Sequence, residues 1–266
     1  MLKVQAIGGY NEVGRNMTLV TCDNESLILD MGIHLDRMLN YTDDEDISKF
    51  TQKELVENGI IPDDRIIKNK KSVVGIVPSH GHLDHIAAIP YLARNYTCPI
   101  FCTPYTAQVI FRQYKDNKFR IENKIIPVPV NGKIKIGNEF TVEFVNMTHS
   151  IPHTAMLFVH TRYGTVVYAN DFKLDLHPTL AIKPDMKRIE GISKNVRALV
   201  CECLRASITG RTPSESVAVQ MLQDILDAGD YKKNCIFITT FSSHIERLHS
   251  IVKLAKRYNR KVLFLG

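Results

Sequence analysis

Residues 77–90 read VPSHGHLDHIAAIP, and positions 80–85 within them carry three histidines and an aspartate, between an apolar run and a helix-like one. In an extended segment, side chains two apart point the same way. His80 and His82, at the end of the strand-like VVGIVPS, therefore converge on one point. Asp84 and His85 follow at once and open the next helix, where Asp84 also suits a cap. Imidazole and carboxylate are ligands that zinc takes at about 2.0–2.2 Å, and two such pairs suit two metals better than one. A dinuclear site with its ions about 3.5–4 Å apart gives a reason for this crowding. The plainer alternative is a helix cap beside solvated histidines.

A metal site assembled this way needs ligands from other strand ends. FVNMTHSIPH ends a strand with His149, and GTVVYANDFKLD ends another with Asp171. SLILDMG ends in Asp30, placed to hydrogen-bond a ligand from behind.

The chain of 266 residues is long enough for one large α/β domain, or for one domain and the beginning of another. Its 44% hydrophobic and 23% charged residues are those of an ordinary globular protein. No apolar run approaches the roughly 18 residues that a membrane-spanning helix needs, so no membrane association is expected. MLKVQAIGGY leads straight into a strand with no signal-peptide pattern, which makes a cytoplasmic location the expectation. A net charge of +6 is compatible with an anionic partner such as nucleic acid without requiring one. The six cysteines sit in apolar, strand-like segments and are expected as buried free thiols rather than a disulfide framework or a structural zinc site.

Strand-like runs dominate the first 170 residues: LKVQAIG, MTLVTC, SLILDMG, SVVGIVP, PIFCT, IIPVPV, FTVEFVNM, AMLFVHT and TVVYAND. Turn signals such as Asn131-Gly132 and Gly137-Asn138 separate them. DHIAAIPYLARNY and PYTAQVIFRQYKDN read as helices, the first open to a kink or an early end at Pro90. Residues 40–71, acidic and then basic, with SKFTQKELVENG as their one short helix, read as a surface insertion. From Val196 onward the pattern becomes strand, helix, strand, helix, strand, ending in KVLFLG, which predicts a parallel sheet with crossover helices. Thr212 followed by Pro213 and Glu215 marks the start of the first of these helices.

His80, Gly81, His82, Leu83, Asp84 and His85 match the HxHxDH motif, and with the other strand-end residues the sequence resembles the metallo-β-lactamase superfamily. The resemblance implies an αββα sandwich within the α/β class. It also implies one metal held by His80, His82 and His149, and a second held by Asp84 and His85 with Asp171 bridging. GGYNEVGRNM (residues 8–17) and THSIPHT (148–154) are similar to segments of the RNA-processing branch, although the glycines could simply permit a turn and His153 could be an ordinary surface residue. ANDFKLD resembles that branch's GDFK segment, with Asn170 where glycine is common. LVCECLRASITGRTPSES places Glu202 on the acidic first motif of the β-CASP domain, and TTFSSHIERLHSIVKLAKRYNRKVLFLG resembles the β-CASP strand-helix-strand of the ribonuclease J family, most closely its archaeal form. His244, before a helix, reads as a helix-start residue rather than a ligand.

On this resemblance residues 1–205 are the metallo-β-lactamase part and residues 206–266 the incomplete beginning of a β-CASP domain, in a chain truncated before two later family histidines. The implied activity is metal-dependent hydrolysis of RNA phosphodiester bonds, from a 5′-monophosphorylated end in the 5′-to-3′ direction. Two divalent metals, zinc or else manganese, would activate a hydroxide. Asp84 would orient it and take its proton, and Glu202 would position a missing histidine at the leaving oxygen. RNA is the implied partner, with a homodimer for the full-length protein. The alternatives are a catalytically incomplete RNA-binding fragment and a small-molecule metallo-hydrolase of lactamase or thioesterase type.

Overall fold

A computed structural model describes residues 1–42, 47–229, 231 and 233–265. The acidic stretch 43–46 and the final Gly266 of the expected last strand lie outside the described residues. The strands are β1 (Leu2–Gly8), β2 (Met17–Cys22), β3 (Glu25–Leu29), β4 (Val73–Val77), β5 (Ile100–Cys102), β6 (Ile125–Pro127), β7 (Lys133–Ile136), β8 (Phe140–Asn146), β9 (Ala155–Thr161), β10 (Gly164–Ala169) and β11 (Val196–Cys201). The helices are α1 (Leu35–Thr42), α2 (Gln52–Glu57), α3 (Leu83–Ile86), α4 (Ile89–Leu92), α5 (Pro104–Asp116), α6 (Met186–Ile192), α7 (Glu215–Ala228) and α8 (Ile245–Arg257). A six-stranded sheet runs in the order β1-β2-β3-β4-β5-β6 and a five-stranded sheet in the order β11-β10-β9-β8-β7.

The alternation of side chains along a strand sorts the apolar residues into three layers. Leu27 and Leu29 of β3 meet Val142 and Phe144 of β8 and Val166 and Tyr168 of β10 between the sheets. Ile28 of β3 points the other way, into a layer with Ile86, Leu92 and Ile110 of the helices. Val145, Val167 and Ala169 face outward from the second sheet and receive Ile189 and Ile192 of α6. Helix, sheet, sheet, helix is thus the order of layers.

Several expectations change in detail. β7, KIKI between the two turn signals, was passed over although it alternates strictly. The long helix expected around Pro90 is split into α3, α4 and a 3₁₀ turn at Ala93–Asn95. Pro90 has no N–H to continue the ladder, and the N–H of Ala88 turns aside to the carbonyl of Met31 at 3.0 Å. The first crossover helix begins at Glu215 with Ser214 as its cap, whose hydroxyl accepts from the N–H of Ser216 at 3.2 Å, so Pro213 precedes the cap. Residues 40–71 are no surface insertion in their described part. Leu55, Ile60 and Ile61 are fully buried among the helices, and buried Asp64 is anchored by Lys70 Nζ at 2.6 Å, Asn95 Nδ2 at 2.9 Å and Tyr96 Oη at 3.0 Å.

Cys22, Cys98 and Cys102 are buried free thiols as expected, but Cys201, Cys203 and Cys235 are exposed. Cys201 is on the outward face of β11, where Arg197 and Leu199 are exposed as well. The expected strands at 235–241 and 261–265 make no ladder among the described residues.

Candidate metal centre

The sequence-predicted residues gather at the carboxyl ends of β3, β4, β8, β10 and β11, along one rim of the sandwich. Asp30 follows β3, His80 and His82 follow β4, His149 follows β8, Asp171 follows β10 and Glu202 follows β11. Asp84 and His85 lie in α3, for which His82 is the cap residue.

His82 Nδ1 is 3.1 Å from His80 Nε2 and 3.1 Å from His149 Nε2. Asp171 Oδ2 is 4.0 Å from His80 Nε2 and 3.6 Å from His149 Nε2. The other oxygen, Oδ1, is 3.6 Å from His85 Nε2, which is itself 3.3 Å from Asp84 Oδ2. Two ligand groups result, with one oxygen of Asp171 toward each. Donors at about 2.0–2.2 Å from a tetrahedral ion stand roughly 3.3–3.6 Å apart; the 3.3 and 3.6 Å separations lie in that range, and those of 3.1 and 4.0 Å lie within about 0.4 Å of it.

The outward nitrogens strengthen the fit. His85 Nδ1 is 2.7 Å from Asp30 Oδ2, His80 Nδ1 is 3.0 Å from Ser79 Oγ, and His82 Nε2 is 3.2 Å from Ser150 Oγ. A neutral imidazole carries one N–H, and an acceptor on the outer nitrogen leaves the inner one as a free lone pair. Burial, and then the neighbouring His85, His149 and His82, hold His80 well below the usual histidine range. Burial together with His82 takes His149 down to about 4. Neutral imidazoles are what a cation needs. Burial works against charge on His85, but Asp84, Asp30 and Asp171 outweigh it and hold that ring well above its ordinary value. Burial also opposes the charge of Asp171, yet the hydrogen bond from His85 and the surrounding histidines keep it ionised.

Asp30 is the hub behind the site. It is fully buried, sits at φ +58, and accepts from the Ser79 N–H at 2.6 Å, Ser79 Oγ at 3.0 Å and Tyr168 Oη at 2.9 Å in addition to His85. A non-glycine residue in the left-handed region costs energy that this network of bonds offsets. Asn170 donates to Tyr168 Oη at 2.8 Å, so the residue that departs from the family's glycine buttresses the hub. The chain after β3 runs against the ligand loop: Met31 N–H donates to the His85 carbonyl at 2.7 Å and Ile33 N–H to the Leu83 carbonyl at 3.2 Å. Gly32 makes that approach possible, since a Cβ there would lie 1.6 Å from the Asp84 carbonyl oxygen. Ser79, Tyr168 and Gly32 were missed in the sequence, and Asn170 stood out there only as a departure from the family's glycine. Ser79, beside His80, and Asn170, beside Asp171, carried a signal of position.

Clefts open on both sides of the cluster. A cavity of about 510 Å³ is lined by Glu12, Asn16, Asp84, Asp171 and Glu202. Burial, then repulsion from Asp171, raises the Glu202 carboxyl above its ordinary value. A second, of about 650 Å³, is lined by His149, Ser150, Lys173, Arg205, His244 and Arg247. His244 caps α8, its Nδ1 accepting from the Arg247 N–H at 3.2 Å, and belongs to neither ligand group. His153 is exposed, outside both groups, with its Nδ1 accepting from the Tyr105 N–H at 3.3 Å.

Among proteins with known names, Ribonuclease J of Methanocaldococcus jannaschii is 46% identical over 268 aligned residues, all of this chain and 60% of that protein. Ribonuclease J of Pyrococcus abyssi is 40% identical over all of this chain and 59% of its own length. The chain therefore spans about three fifths of those relatives. A crystal structure of a protein of unknown function from Enterococcus faecalis shares the fold, with a TM-score of 0.69 at 20% identity over 95% of this chain and 63% of that one. The pattern of the Metallo-beta-lactamase superfamily matches residues 10–185, which contain both ligand groups, and the chain belongs to that superfamily.

Proposed function

We propose that this chain carries the metal centre of a ribonuclease that hydrolyses RNA phosphodiester bonds, chiefly by removing nucleotides from a 5′-monophosphorylated end. The observation that carries the reading is Asp171, whose two oxygens face two separate ligand groups beside the cleft that also holds Asp84 and Glu202. The named relatives, each a Ribonuclease J, supply the substrate class.

His80, His82 and His149 would hold one divalent cation, and Asp84 and His85 a second, with Asp171 available to both groups. The imidazole-rich donor set suits zinc, with manganese as the other candidate. Cations bound there supply Lewis acidity toward a phosphodiester and lower the pKa of water. Burial opposes ionisation of Asp84, but the neighbouring His85 keeps its carboxyl below the ordinary value. Its Oδ2 faces His85, which leaves Oδ1 to accept a proton from the attacking water. Glu202, with its raised carboxyl across the same cleft, orients the group that protonates the leaving oxygen. The cationic Lys173, Arg205 and Arg247 of the second cleft suit a phosphate backbone approaching past His149.

The test is incubation of the chain with 5′-monophosphorylated, 3′-labelled RNA and with its 5′-hydroxyl twin, in added zinc or manganese, beside His82→Ala. Mononucleotides from the monophosphorylated RNA, absent with His82→Ala, are expected. Salt-sensitive RNA retention with no cleavage would replace this reading with an RNA-binding module.

A further inference from the structure

Three of the histidine ligands have an outward nitrogen held by a neighbour, but the neighbours differ in origin. Ser79 for His80 and Asp30 for His85 belong to the sandwich itself. His82 is held by Ser150 Oγ at 3.2 Å from Nε2, and Ser150 is itself held from outside the sandwich, by the turn before α8. Ser150 lies 68 residues along the chain from His82, in the loop after β8.

That turn is fastened to the loop of the third ligand. The Glu246 N–H donates to the Ser150 carbonyl at 3.1 Å. The Glu246 carboxylate, only 5% exposed, accepts from the Thr179 N–H at 2.5 Å, Thr179 Oγ1 at 3.0 Å and the Leu180 N–H at 3.1 Å. Ser250 Oγ, one turn further along α8, reaches Thr179 Oγ1 at 3.1 Å. Arg247 pairs with both oxygens of buried Glu215 at the start of α7. Ser150 thus contacts the ring of one ligand, follows another in sequence and carries the start of α8 on its carbonyl.

We propose that Ser150 and the 243–246 turn form a positioning clamp on His82, which couples the seating of α8 to the affinity of the three-histidine metal position. The physical basis is the single N–H of a neutral imidazole. Ser150 Oγ, accepting at Nε2, keeps the proton there, so Nδ1 presents its lone pair between His80 and His149. Without the clamp the ring is free to rotate or to change tautomer, and each cation bound must first restore it. Anything that shifts α8, such as a substrate gripping the second cleft, then changes metal affinity without touching a ligand.

The inference rests on the metal-holding reading of the site. Its test is zinc titration of the 266-residue chain after chelator stripping, with ¹⁵N shifts of the His82 ring as a second readout. Ser150→Ala is expected to weaken zinc at the three-histidine position by about tenfold, in the range for partners that orient ligands. Glu246→Ala, which loosens the turn without touching His82, is expected to act in the same direction. Ser150→Thr, which keeps the hydroxyl, restores the parent affinity. In both weakened variants the ¹⁵N pattern of His82 shifts from one tautomer to a mixture, while circular dichroism of the stripped proteins stays that of the parent. Parent-like affinity and an unchanged His82 tautomer in folded Ser150→Ala and Glu246→Ala would overturn the clamp. Absence of zinc binding by the parent itself would overturn the metal-centre reading and the clamp with it.

Discussion

Residues 1–205 and residues 206–265 contain similar apolar runs, and the two regions treat them in opposite ways. In the first, Phe144 and Phe158 on neighbouring strands are at most 1% exposed, covered on their respective faces by the opposite sheet and by the α6 layer. In the second, Phe237 is 85% exposed and Phe241 82%, in an extended segment with no ladder partner among the described residues. An apolar groove of about 350 Å³ between this segment, α7, α8 and residues 260–264 stays open. β-propensity alone does not make a strand, because the ladder's hydrogen bonds and the burial of side chains both require a neighbour. The second region is tied down instead by polar contacts: Glu215 with Arg247, and Glu246 with Thr179 and Leu180.

The contrast can be broken at several points. Asp30→Ala removes the acceptor shared by Ser79, His85 and Tyr168 at a fully buried position, and the unfolding free energy is expected to fall by about 3–5 kcal/mol. A urea titration checks this, and a loss under about 1 kcal/mol would mean that the hub is relaxed by water. Phe144→Ala, between the sheets, is expected to cost about 3–5 kcal/mol by the same measurement. Arg247→Ala leaves the Glu215 carboxylate, 2% exposed, without its main partner, at an expected cost of about 1–3 kcal/mol. Hydrogen exchange should place that loss in α7 and α8 and leave the sheets protected. Uniform loss of protection would mean that the two regions unfold as one unit. Phe241→Ala, chemically the same change as at Phe144, is expected to alter stability by no more than about 0.5 kcal/mol. A cost equal to that at Phe144 would show that the segment is covered in solution.

Much of the site could be read in advance because its signals are local. The two-residue spacing of His80 and His82 survives as two rings meeting at one point. Strand ends marked His149 and Asp171, since a polar residue closing an apolar run must face the rim. What escaped was set by contacts distant in sequence. Nothing near Gly32 announces that the carbonyl of Asp84 lies against it. Tyr168 looks like any other aromatic residue of a buried strand, although its hydroxyl serves Asp30. Leu55, Ile60 and Ile61 were obscured by the charges that flank them, and only the folded chain brings them beneath α3 and α4. The segments at 235–241 and 261–265, without a ladder among the described residues, differ for the converse reason: their composition is that of strands, and composition carries no information about partners.

One carboxylate, Asp171, faces both ligand groups and would join two metal positions. Counting zinc bound by the chelator-stripped chain in a competition titration, beside Asp171→Ala, tests it most directly. Two equivalents are expected for the parent, and weakening at both positions in the variant. A single equivalent in the parent, or a variant that loses only one position and keeps the other at parent affinity, would contradict it.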